Sequence, residues 1–178
     1  MGTTEQKEKW QGRLALSTAI MAVLAALTTL YMGKYSSRAI MAQGQESDQW
    51  AYYQAKSIKG HTFETNKKTL ELLYLTQKGM SPEAAAEYRR TVDKYGEEVK
   101  RYEGEKKEIK DKAEGISKVK LKSQEMGGNF AYALIFLQIA LMLSSIASLT
   151  KRHYLWYIAL VCNAGWLFFF LDAWMLFY

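Results

Sequence analysis

The chain has 178 residues, 49% of them hydrophobic and 24% charged, with a formal net charge of +6. Its one cysteine, Cys162, excludes an intrachain disulfide. Bases and acids are interspersed along the same stretches, so the positive excess forms no continuous patch and no nucleic acid partner is expected.

The chain opens on a short basic tail, residues 1–13, with Lys7, Lys9 and Arg13. Gln6 stands where an N-myristoylation signal needs Ser or Thr. Residues 14–33, "LALSTAIMAVLAALTTLYMG", carry no charge. About 20 apolar residues in a helix cross a bilayer core of about 30 Å, so this is the first predicted transmembrane helix. It is too long for the apolar part of a secretory signal and no convincing small-x-small cleavage site follows, so it reads as a retained anchor.

Residues 34–128 hold 19 of the 24 Lys/Arg and 15 of the 18 Asp/Glu, which places them outside lipid. Within them "KGMSPEAAAEY" is a helix stop followed by a helix start. Gly79 suits a C-cap, Ser81 an N-cap, Pro82 the first helical position, and Glu83 the positive end of the helix dipole. The segment is therefore predicted as a hairpin with arms 34–78 and 82–126 and a turn at 79–81. Each arm has 45 residues, roughly 67 Å of helix. Equal arms are what a helix needs if it leaves a membrane, turns and returns.

The second arm carries a heptad. Ala85, Tyr88, Val92, Tyr95, Val99, Tyr102, Lys106, Ile109, Ala113 and Ile116 alternate in steps of three and four, with Lys106 as the one break. That is the coiled-coil period. Outside the seam, Glu97–Arg101, Glu103–Lys107, Glu108–Lys112 and Glu114–Lys118 have the i,i+4 order of a solvated face. The first arm shows no single apolar stripe. In "ESDQWAYYQAKSIK", Trp50 and Tyr52 point about 160° apart on a helix. One partner helix covers only one face. Trp50 also lies ~24 Å beyond Lys34, too far out for headgroups. Asp48, Gln49, Trp50, Tyr52, Tyr53, Gln54, Lys56 and Ser57 are therefore the candidate contact with a second subunit or another protein. The plainer alternative is that these aromatics cover neighbouring arm surface within one hairpin. Gln54, Ser57, His61 and Thr65 could hydrogen-bond between helices and fix register.

"MGGN" is the predicted joint, where two glycines break or bend the returning helix. Residues 129–150 form the second predicted transmembrane helix, 151–153 a short basic loop, and 154–178 the third. Asp172 is the one ionisable group in that last run. It lies ~27 Å along its helix from Tyr154, which puts it at the hairpin-side interface, where Lys34 and Arg38 should emerge. An interfacial ion pair or a snorkelling carboxylate is the expected role, with ion handling the alternative. Trp10, Trp156 and Tyr157 suit an aromatic belt at one membrane face, and Tyr31, Tyr132, Trp174 and Tyr178 one at the other. The basic tail and basic loop share a side, which favours a cytoplasmic N-terminus and a periplasmic hairpin.

No nucleophile elbow, phosphate-cradling glycine loop or HExxH occurs. His61, His153 and Cys162 sit on three separate segments and form no metal pattern. No enzyme, metal or cofactor is expected. "SDQWAYYQAKSIK", the apolar segment before it and "LQIALMLSSIASLTKRHYLWY" resemble the DUF4337 family of bacterial membrane proteins. The resemblance covers most of the chain, with residues 79–115 matching more loosely. It implies a bacterial inner-membrane location and no known catalytic residues. The expected fold is an all-α membrane protein with three transmembrane helices and a long extramembrane antiparallel coiled-coil hairpin. The expected function is a non-enzymatic oligomeric scaffold, or an accessory subunit of a larger membrane complex, with the lipid bilayer and further copies of the chain as partners. A pore or transporter is the alternative, with Ser17, Thr18, Thr28, Thr29, Ser144, Ser145 and Asn163 available to line it.

Overall fold

The computed structural model describes residues 2–77 and 79–176, with side chains from Lys9 onward. The Lys7 side chain, Lys78 and Tyr178 of the sequence reading lie outside that set. The described residues form three helices and no strand: α1 (Gly2–Thr76), α2 (Pro82–Thr150) and α3 (His153–Met175). Each contains a stretch long and apolar enough to cross a membrane. The chain divides into two compact units, Met1–Met41 with Val119–Tyr178, and Ala42–Lys118.

The first unit packs the apolar stretches of all three helices. On α1, Leu14, Met21, Thr28 and Tyr35 are buried at seven-residue intervals. Ala133, Ala140 and Ala147 of α2 and Ala159 and Ala173 of α3 are fully buried. Small residues in these rows let helix backbones approach where solvent exclusion gives little driving force. Two indole N–H groups tie α3 to α1. Trp166 Nε1 donates to Thr28 Oγ1 at 3.0 Å, and Trp156 Nε1 donates to Ser17 Oγ at 3.1 Å. Both hydroxyls donate onward, Thr28 to the Leu24 carbonyl and Ser17 to the Leu14 carbonyl. The α2–α3 link is shorter than the sequence suggests, because His153 is already the first residue of α3. Lys151 takes a positive φ of 54° there.

Gly127 and Gly128 do not interrupt α2, contrary to the expected break or bend at "MGGN". Gly127 is buried against α1, where a Cβ would sit 3.4 Å from Ser36 Oγ and 3.6 Å from Ser36 N. The position is a packed helix contact, at distances where a Cβ would make ordinary van der Waals contact. A glycine costs a helix interior only about 1 kcal/mol, which helical neighbours on both sides and this contact offset.

The second unit is an antiparallel pair, α1 from Ala42 onward against the start of α2. Gly79 has φ 85° in the connection, which glycine adopts without a Cβ clash. Ser81 Oγ accepts the Ala84 N–H at 3.2 Å, the expected N-cap. Tyr74 faces Tyr88, with ring centroids 6.3 Å apart. Phe63 meets Tyr95 and Tyr102 at 5.5 and 5.7 Å. On α2 the seam turns away from solvent: Tyr102, Ile109 and Ala113 are buried, and Tyr88, Val92, Tyr95, Val99, Lys106 and Ile116 are half-buried. The flanking ion pairs differ from the expected i,i+4 set. Arg101 pairs with Glu98 and Glu105, Lys106 with Glu103, and Lys110 with Glu114. Arg101 has acids at both i−3 and i+4, whereas Lys106 pairs at i−3 and Lys110 at i+4.

Candidate functional site

The first arm does have a seam, which its polar members conceal in the sequence. Gln49, Tyr53, Lys56, Gly60, Phe63, Lys67, Leu70 and Tyr74 alternate in steps of four and three, and all are buried or half-buried. Gly60 permits it: a Cβ there would lie 3.3 Å from Tyr102 Cβ. Lys56 is tolerated because it has partners. Its ammonium pairs with Glu105 at 2.5 Å, and it lies 5.3 Å from the Tyr52 ring centroid and 5.4 Å from that of Tyr102.

The hydrogen bond to Glu105 holds the Lys56 pKa above its ordinary 10.5, against a smaller desolvation penalty. The same bond holds Glu105 below its ordinary 4.5. Glu105, lowered, contributes stability above pH 4.5 that is lost as pH falls through its folded value. Lys56, raised, contributes below pH 10.5 and loses its share as pH rises through its folded value. Thermal unfolding of Glu105→Gln against wild type is expected to show a constant small deficit between about pH 5 and pH 9 that closes in acid. A deficit unchanged at pH 3 would remove the pair as its cause.

The candidate contact residues thus divide. Gln49, Tyr53, Lys56 and Ser57 turn toward α2, and Asp48, Trp50, Tyr52 and Gln54 are exposed. Trp50 is 39% exposed and Tyr52 50%, which are large values for aromatics in the polar unit. They flank the seam on opposite sides, Trp50 with its edge toward Tyr53 at 5.7 Å and Tyr52 beside Lys56. Gln54 and Thr65 are exposed, and His61 pairs with Glu64 of its own helix.

Directly opposite the seam, positions recur every seventh residue. On α1 these are Gly44, Ala51, Ile58, Thr65 and Leu72, all exposed and none charged. On α2 they are Arg90, Glu97, Gly104, Asp111 and Lys118, all exposed and four charged. Ile58 and Leu72 are 67% and 63% exposed. A helix face turned to water carries polar and charged groups, as α2 does. The α1 face carries no charge and a single polar side chain, Thr65. The sequence contains this signal, but it can be found only once the seam defines which face is opposite.

In the first unit, Asp172 Oδ2 accepts a 2.7 Å hydrogen bond from Asn129 Nδ2. Asn129, not Lys34 or Arg38, is its partner. Lys34 instead lies over the Tyr35 ring at 5.5 Å. The hydroxyls proposed as pore lining are engaged: Thr18, Thr29 and Ser145 donate to carbonyls of their own helices, and Ser144 is buried against Met21. His153 lies against Trp10 with ring centroids 4.1 Å apart and the planes tilted by 47°. Among the described residues no group of three or more His, Cys, Asp or Glu side chains is placed to hold a metal.

No curated protein and no solved structure matches the chain. The model of DUF4337, a domain of unknown function, matches residues 10–176, and a match over nearly the whole of this helical chain means that it belongs to the DUF4337 family.

Proposed function

We propose that this protein is a non-enzymatic, oligomeric membrane scaffold, or an accessory subunit of a larger membrane complex, that associates through the outward face of α1. The observation that carries this reading is the contrast between the two outward faces. One helix of the polar unit is charged at four of five outward positions and its neighbour at none. Solvation alone accounts for the first. The second, with Trp50 and Tyr52 at its edges, has the composition of a helix contact. Gly44, Ala51 and Thr65 are small enough for close approach, and Ile58 and Leu72 supply apolar area.

Membrane residence is supported by the first unit. Leu30, Leu149, Val161 and Phe168 are each more than 60% exposed there, a surface suited to lipid and costly in water. The location proposed is the bacterial inner membrane, with the hairpin periplasmic. A pore has less support, since the serine and threonine hydroxyls of this unit are engaged within one chain, and only the buried Asn163 Oδ1 among the residues named for it has no hydrogen-bond partner.

Mass measurement of the full chain in mild detergent, with cross-linking in native membranes, tests the proposal. A stable multiple of the chain mass, or a fixed co-purifying partner, is expected. A strictly monomeric particle in both measurements would end it.

A further inference from the structure

We propose that a groove at the polar end of the first unit holds the headgroup of an anionic glycerophospholipid. This rests on the membrane reading above. The groove has two adjoining parts. One, of about 170 Å³, is walled by Tyr31, Tyr35, Phe130 and Trp174, with Lys34 at its rim. The other, of about 270 Å³, is bounded by Arg38 and Lys122 and shares Tyr35 and Met126 with the first.

The aromatic wall is fixed in place. Tyr31 and Tyr35, one helical turn apart, both stack on Phe130, at 5.5 and 5.7 Å. Trp174 stands edge-on to Tyr31 at 6.2 Å. Phe130 and Tyr35 are 1% and 4% exposed, so the wall does not need a ligand to form. Such rings pack well against glycerol and the first methylenes of an acyl chain, at the depth where tyrosine and tryptophan prefer to lie.

Among the described residues Arg38 and Lys122 make no ion pair, and both are exposed. Asp172, the acid of α3 at this end, is held by Asn129. Glu125 is exposed, three residues beyond Lys122, and pairs with neither base. Two unpaired bases beside an apolar slot at a helix junction form a phosphate site of the kind that binds lipid headgroups. A phosphate diester without a second cationic group gains from both. In phosphatidylcholine the choline cation opposes them, which selects for the anionic lipid.

The test uses the full chain reconstituted in equal parts of phosphatidylcholine and phosphatidylglycerol. The chain is extracted in mild detergent, and retained lipid is counted by native mass spectrometry. Phosphatidylglycerol should predominate, and Arg38→Gln with Lys122→Gln should lower its ratio to phosphatidylcholine roughly tenfold. Arg38→Lys with Lys122→Arg should keep the preference. The tryptophan fluorescence of the chain, to which Trp174 contributes, should be quenched more by brominated phosphatidylglycerol than by brominated phosphatidylcholine, and this difference should vanish in the glutamine pair. Equal retention of both lipids, or a ratio unmoved in the glutamine pair, overturns the inference. Displacement by excess inorganic phosphate also overturns it, in favour of a free-anion site. Carbonate extraction of the same samples separates the two readings: a chain that resists extraction without selecting lipid refutes only this inference, and one that washes off refutes both.

Discussion

Replacing Trp50 and Tyr52 together by alanine is expected to weaken assembly at least roughly thirtyfold while leaving membrane insertion and helix content unchanged. Truncating one interface tryptophan or tyrosine that anchors a contact costs about 2 kcal/mol or more, and 1.4 kcal/mol is tenfold in affinity, so one such anchor among these two rings at the edges of the face is enough for this loss. Here both rings are partly exposed beside the seam, so part of each is free for a partner. The loss to the hairpin itself is smaller. Trp50 gives up its contact with Tyr53 and Tyr52 its ring beside Lys56, whereas Glu105 and Tyr102 still hold Lys56, and Phe63, Tyr95 and Tyr102 keep the ring contacts that join the arms. The readout is the mass distribution across a dilution series, with circular dichroism as the control for folding. An unchanged distribution would mean that these aromatics serve the single hairpin after all, the plainer of the two readings the sequence allows.

Gly60→Val should have the largest effect on the stability of the polar unit. A Cβ at this position meets Tyr102 Cβ at 3.3 Å, so Tyr102 must already give way for it, and valine adds two further methyl groups at the same close approach. Overpacking of this kind costs about 1–3 kcal/mol. Gly104→Val is the matched control. It makes the same change on an exposed helix face with nothing within 4 Å of the new Cβ, and should leave the unfolding temperature nearly unchanged. If both variants unfold at the wild-type temperature, the close approach at Gly60 carries no stability. If both fall equally, the cause is not the contact at Gly60, since helix propensity favours valine over glycine at either site.

The two helices of the polar unit differ in how openly they show their packing. The seam of α2 is written in tyrosine, valine and isoleucine, with Lys106 as its one polar member, and the pattern alone identifies its buried face. The seam of α1 includes Gln49, Lys56, Gly60 and Lys67. No hydropathy pattern marks a lysine or a glycine as a contact residue. Lys56 enters the seam because Glu105 and the Tyr102 ring come to it from α2, joining the Tyr52 ring one turn back on its own helix. Gly60 enters it because Tyr102 needs the room. The partners of Asp172 were obscured in the same way. The sequence offers Lys34 and Arg38 by depth, but Asn129 lies within reach once α2 and α3 are packed together.

The sequence by itself determined the helical class, the three stretches apolar enough to span a membrane, the turn and the family. Each depends on local composition, on cap and turn chemistry, or on a recognisable run of residues, and needs no knowledge of neighbours. Only the tertiary structure decided that Gly127 is a contact and not a hinge, that Tyr53 faces inward while Trp50 and Tyr52 remain partly exposed, and that one outward face lacks charge. These depend on which side of a helix its partner occupies. A residue's periodicity narrows that side to a few choices, and the packed neighbour selects among them.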